Sequence, residues 1–312
     1  MISAVGLLLG GLVLLTQSAD RLVLSATRLS RSWGVSPILI GALVVGLGTS
    51  APELLISTLA AARGELDLAV GNVVGSNVSN VTLVFGAAAL VTPITARLAT
   101  LRREGAMMFV AVSALTVVLW DLQLNRVEGA VLVTAMPFAA WLLVRWSQRN
   151  PQRERESAQA IAAQPEAPVR SELLIGVVTL GLTLLGADVL VRGATSLADQ
   201  VGISSAFVGL IIVSVGTSLP ELATALAAAR RGEPDLVVGN LLGSNIFNAL
   251  MVAGVAALAG PGGVDVAFRN ALRFMVVAAA VAGLFATTRG RLERWEGLVL
   301  LTLFVSFVAV AA

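Results

Sequence analysis

The side chains able to do chemistry in this chain are few, and they come in duplicate. The stretch GTSAPE at 48–53 sets Thr49, Ser50 and Glu53 beside Pro52 inside a run of apolar residues; GTSLPE at 216–221 repeats it with Thr217, Ser218, Glu221 and Pro220. A carboxylate in the middle of a membrane span is costly unless it is paired or neutralised, and no basic residue adjoins either glutamate in sequence. Further on, GSNVSN at 75–80 brings Ser76 with Asn80, and GSNIFN at 243–248 brings Ser244 with Asn248. Each of these pairs is four residues apart and shares a helix face. On a continuous helix Thr49 and Ser50 would share a face with Glu53, and Thr217 and Ser218 with Glu221. Pro52 and Pro220 each withhold an N–H and crowd the carbonyls of Gly48 and Gly216. In hydrocarbon a freed carbonyl needs a partner, and a cation can be that partner.

Every one of these groups is a hard oxygen donor. The chain has no histidine and no cysteine, which removes the usual general base, the imidazole ligand and any thiolate site. Oxygen ligands alone suit Na⁺, Ca²⁺, Mg²⁺ or Mn²⁺ rather than Zn²⁺ or Cu⁺, and two glutamates match the charge of one divalent ion. Around them, Asn77 and Asn245 lie one step round the helix and are expected to bond a neighbouring helix. Asp20 and Asp188 are expected to be solvated or to pack helices. Glu65, Asp67, Glu233 and Asp235 are expected to be hydrated at loop ends.

Membrane helices must position these groups. The chain is 57% hydrophobic and 13% charged over 312 residues, with apolar runs near the ~20 residues needed to cross a bilayer recurring throughout. Ten segments are expected, at about 2–30, 35–62, 68–92, 104–120, 127–147, 172–198, 203–229, 235–259, 270–287 and 295–311. The first reads as a span rather than a leader, because its apolar run continues into a helix with Arg28 and Arg31 beyond it. All 21 basic residues are arginine. Alternate loops hold fifteen of them, among them Arg28, Arg102, Arg145, Arg230 and Arg291, against four (Arg63, Arg126, Arg269 and Arg273) on the other side. The rich side is expected in the cytoplasm and both termini outside it, in a cell membrane. Trp120, Trp141, Trp146 and Trp295 fall near span ends, where interfacial tryptophans belong. A net charge of +2 spread over loops gives no nucleic-acid surface.

The segments form an internal duplication. Glu53 and Glu221 are 168 residues apart, as are Asp20 and Asp188, Asn72 and Asn240, and Asn80 and Asn248, and the alignment from Ala19 to Asn80 needs no gap. Five spans per half is an odd number, so the second half enters the membrane from the opposite side. The fold expected is an all-α polytopic membrane protein of ten transmembrane helices in two inverted five-helix repeats, 1–147 and 171–312, joined by a cytoplasmic linker at 148–170. Inverted repeats place a binding site near the midplane, built from interrupted helices. Glu53 and Glu221 would then face each other, which like charges tolerate only around cations or protons.

At these residues the chain resembles the calcium/cation antiporter superfamily, in its prokaryotic Na⁺/Ca²⁺ exchanger branch. GTSAPE with GNVVGSNVSN, and GTSLPE with GNLLGSNIFN, are similar to the two alpha-repeats of that family. The resemblance implies antiport of Ca²⁺ against Na⁺ by alternating access, with ion ligands on Thr49, Ser50, Glu53, Ser76 and Asn80, and on Thr217, Ser218, Glu221, Ser244 and Asn248. Some relatives carry an aspartate where Asn248 stands. No cofactor is implied; the partners are inorganic cations and the bilayer. Exchange of H⁺, or of another divalent ion, is the alternative within that family. A cation channel fits the oxygen ligands but not a pseudo-twofold inside one chain. An intramembrane enzyme lacks a histidine dyad, a zinc site and an arranged nucleophile.

Overall fold

Alanine, valine and leucine dominate the long apolar runs, and in a bilayer such runs must satisfy their backbone internally, so they fold as helices. The computed structural model describes residues 2–95, 98–148, 168–200 and 214–311. In chain order the helices are α1 (Ile2–Ser32), α2 (Pro37–Thr49), α3 (Ala51–Ala62), α4 (Leu66–Val91), α5 (Leu98–Val118), α6 (Arg126–Gln148), α7 (Val169–Gln200), α8 (Ser214–Thr217), α9 (Leu219–Arg230), α10 (Pro234–Ala259), α11 (Phe268–Arg289) and α12 (Arg294–Ala311). Among the described residues six helices, α1, α4, α6, α7, α10 and α11, are long and apolar enough to cross a membrane, and the bent pair α2–α3 would make a seventh. The chain is thus a mostly helical, multi-pass membrane protein. The start of the expected segment at 203–229 and most of the expected linker lie outside the described residues.

The elements recur at the spacing of the sequence repeat. Each of α1 to α6 has a counterpart about 168 residues later, as do the π-helical stretches Asn80–Val84 in α4 and Asn248–Val252 in α10. The recurrence extends to short strands that the sequence did not reveal: β1 (Ile94–Thr95), β2 (Gln123–Leu124), β3 (Gly262–Gly263) and β4 (Arg291–Leu292). β1 pairs antiparallel with β4, Ile94 opposite Leu292, and β2 with β3, Gln123 opposite Gly263. Each ribbon therefore ties one half of the chain to the other.

Helices α4 and α10 form the centre: 83% of the apolar window of each is buried, against 22–33% for α1, α6, α7 and α11. A further π-helical stretch, Gly41–Gly46 within α2, lies against α10. The approach is backbone to backbone. A Cβ added at Gly239 or Gly243 of α10 would collide with the carbonyls of Ile38 and Ala42, and one at Gly46 would sit 2.9 Å from the Asn240 carbonyl. The long helices α1 and α7 pack the same way through Gly11, Gly186 and Gly193. Close packing of small residues is what holds helices together in lipid, where no hydrophobic drive brings them in contact.

Candidate functional site

A proline in the first turn of a helix costs nothing, because the N–H it lacks would have no partner there. Pro52 and Pro220 occupy that place in α3 and α9. The residue where each helix breaks is a serine with matching dihedrals, Ser50 at φ −83°, ψ 10° and Ser218 at φ −86°, ψ 4°. The defect is therefore a full break, with a 43° bend between α2 and α3, not a kink in one continuous helix. Glu53 and Glu221 fall in the first turns of the new helices. The positive end of a helix dipole stabilises a carboxylate there by about 0.3–1 kcal/mol. That does not offset the cost of burying a charge, so the site needs further compensation.

Both carboxylates are buried, Glu53 at 0% and Glu221 at 1% exposure. Among the described residues neither is paired with an arginine. Each feels the hydroxyls of the opposite half. Ser50 Oγ donates to Glu221 Oε1 at 2.8 Å. Thr49 also bears on Glu221, and Thr217 on Glu53. This corrects the expectation that Thr49 and Ser50 line up with their own glutamate: the break at Ser50 turns them across the repeat boundary. Glu53 and Glu221 are within Coulombic reach of one another. Ser76 Oγ lies 3.5 Å from Glu53 Oε1, and Ser244 Oγ 3.5 Å from Glu221 Oε1 and 3.1 Å from the Gly46 carbonyl.

Asn72 and Asn240, which the sequence marked only as repeated, fasten the breaks. Asn72 Nδ2 donates to Ser57 Oγ (2.9 Å) and to the Glu53 carbonyl (3.3 Å), while Thr217 donates to its Oδ1 at 3.3 Å. Asn240 Nδ2 reaches Thr224 Oγ1 (3.1 Å) and the Glu221 carbonyl (3.3 Å), and its Oδ1 lies 3.4 Å from Thr49 Oγ1. Each asparagine thus joins a helix start to the hydroxyl of the other repeat. Their invariant offset was the available signal; the role came from contacts between helices.

Among the described residues several buried oxygens here have no hydrogen-bond partner: Glu53 Oε2, Glu221 Oε2, Ser218 Oγ, Asn80 Oδ1 and Asn248 Oδ1, with Asn77 Oδ1 and Asn245 Oδ1. Unpaired buried polar atoms are rare in folded proteins, and hard oxygens of this kind are the type that a hard cation bonds. Asn80 and Asn248 each open a π-helical turn, a local widening frequent at functional sites. Asn77 and Asn245, expected to bond a neighbouring helix, instead donate to Val73 and Leu241 of their own helices, both at 2.8 Å. Among the described residues no cluster of three or more acidic, histidine or cysteine side chains exists. The site is two carboxylates among hydroxyls and amides.

Comparison with known proteins places these features in context. Residues 3–145 and 172–312 match the family described as sodium/calcium exchanger protein. The chain is 40% identical to the inner membrane protein YrbG of Escherichia coli over 85% of its length and 82% of that protein's. It is 29% identical to the sodium/calcium exchanger MaX1 of Methanosarcina acetivorans over 97% of each. A solved structure of the sodium-calcium exchanger NCX_Mj, soaked with Na⁺ and Sr²⁺, superposes with a TM-score of 0.86 at 29% identity, covering 99% of this chain and 98% of that one.

Proposed function

The chain belongs to the sodium/calcium exchanger protein family, and from that premise we propose that it is a secondary-active antiporter exchanging Ca²⁺ for Na⁺ by alternating access. The observation that carries this reading is the pair Glu53 and Glu221, buried, contributed by the two halves and unpaired with any described arginine. The layout proposed is ten spans in two inverted five-helix repeats, 1–147 and 171–312, with a cytoplasmic linker at 148–170. Both termini face away from the cytoplasm, in the cell membrane.

Thr49, Ser50, Glu53, Ser76 and Asn80, with Thr217, Ser218, Glu221, Ser244 and Asn248, are the proposed ligands. The unpartnered oxygens of Ser218, Asn80 and Asn248 support the assignment. Two carboxylates balance one Ca²⁺ or two Na⁺, so the two cargoes compete for one charge set. A site stripped of cations would carry two like charges through low dielectric, which forbids the empty carrier from crossing. That prohibition is what couples the two fluxes. Because Glu221 accepts from Ser50 of the opposite half, an ion loaded at this carboxylate acts on both halves.

The test is reconstitution into proteoliposomes with imposed Na⁺, H⁺ and voltage gradients. Calcium flux should reverse with the sodium gradient. Flux that ignores sodium and follows the proton gradient replaces Na⁺ by H⁺ as counter-ion, and flux indifferent to both removes antiport.

A further inference from the structure

Four ion pairs join the first half to the second at one end. Arg28 meets Glu172, as does Arg21 at 3.8 Å, Arg31 meets Glu233 at 3.3 Å, and Arg231 grips Asp20 with two bonds, the Nε contact at 2.7 Å. Asp20, expected to be solvated or to pack a helix, is thus a link between repeats. Burial raises the Glu233 carboxyl above its ordinary value, with Arg31 opposing. All these residues lie at the arginine-rich end. Beside Asp20, between α1 and α9, runs a crevice of about 240 Å³ lined by Thr16, Gln17, Asp20, Ala223, Leu226 and Arg230, with Ala227 between. Its α9 wall runs from Arg230 back to Ala223, about 10 Å of helix, and ends two residues short of Glu221.

The duplication tests each pair. Moved by 168 residues, Arg31 and Glu233 become Asp199 and Glu65, Arg28 and Glu172 become Ser196 and Ala4, and Arg21 becomes Val189, none of which could pair. Asp20 and Arg231 become Asp188 and Arg63, again an acid and a base. In this structure that second pair is apart. Asp188 holds Arg192, one turn along its own helix, at 2.7 Å, and Arg63 makes no ion pair among the described residues.

We propose that Asp20–Arg231 and Asp188–Arg63 are alternating latches on the ion path, and that the α1–α9 crevice is the cation route on the arginine-rich side. The inference rests on the inverted-repeat reading above. With Asp20–Arg231 joined, two guanidiniums, Arg231 and Arg230, shut the mouth to cations. When it parts, Asp20 turns its carboxylate to the entering ion, and Arg63 takes Asp188 from Arg192 to seal the far side. The three extra pairs without counterparts bias the ion-free protein toward the conformation seen here.

The chain has no cysteine, so Ala223→Cys creates a single thiol at the inner end of the crevice. In inside-out vesicles, a charged, impermeant thiol reagent should label it several-fold faster when Asp20→Asn is added, and more slowly when Asp188→Asn is added. Equal rates in all three proteins overturn the latch, and so does a rise with both substitutions, which marks general loosening. Separately, Arg63→Cys with Asp188→Cys should be joined by a short bifunctional thiol reagent, faster in the presence of Asp20→Asn; failure to cross-link also overturns it. Neither measurement needs ion flux. A protein that passes both yet exchanges no calcium for sodium refutes the proposed function and leaves the latch standing.

Discussion

Among single residues, the proposed ligands differ in how far their oxygens are already engaged by the fold. Ser50 and Ser218 occupy equivalent breaks, but Ser50 Oγ donates to Glu221 while Ser218 Oγ has no partner among the described residues. A hydrogen bond to a charged group contributes about 1.5–3 kcal/mol, so Ser50→Ala should lower both the thermal stability of the ion-free protein and its calcium affinity, the latter roughly tenfold or more. Ser218→Ala should lower calcium affinity and leave ion-free unfolding unchanged; differential scanning fluorimetry with and without calcium separates the two. Glu53→Gln or Glu221→Gln should abolish divalent transport while the protein still inserts and purifies. Retained calcium exchange in a well-folded glutamine variant would mean these carboxylates are not the ligands. The sequence showed these residue types by their duplication. It did not show that the hydroxyls cross to the opposite glutamate, because a continuous helix was assumed where the backbone breaks at Ser50.

Among elements, the decisive feature is the seam between α2 and α10. Gly239 and Gly243 let two backbones touch, and no rotamer change can relieve a methyl placed against a carbonyl. Gly243→Val should therefore destabilise by more than the ~1–3 kcal/mol usual for overpacking, seen as a lower unfolding temperature and reduced yield. Gly283→Ala, where an added Cβ meets nothing within 4 Å, should be neutral in the same assay. Removing the break is a second test at this scale. Pro52→Ala restores a helix donor, and since alanine favours the helix interior it should slow exchange while the protein remains at least as stable. An unchanged turnover would mean that the break is incidental. Hydropathy placed α1 and α7 close to their observed ranges, whereas the segment expected at 35–62 is two helices, α2 and α3. The π-helical turns at Asn80 and Asn248 were not, since nothing in a local pattern marks one extra residue in a turn.

Across the whole molecule, the arginine distribution underlies the proposed orientation. A reporter enzyme active only outside the cytoplasm, fused after Ala312, should be active, and one fused within the 148–170 linker should be silent; the reverse result inverts the topology. Sequence by itself determined the membrane class, the duplication and the oxygen-only chemistry of the candidate site, because hydropathy, a fixed offset and the lack of histidine and cysteine are properties of the chain as written. Tertiary structure alone decided which partner each side chain took. Ser50 reaches Glu221, Thr217 reaches Asn72, and Asp20 holds Arg231 while Asp188 turns to Arg192. The duplication makes the two halves nearly alike in sequence around these residues, but equivalent side chains take different partners, and that choice is made by contacts between helices far apart along the chain.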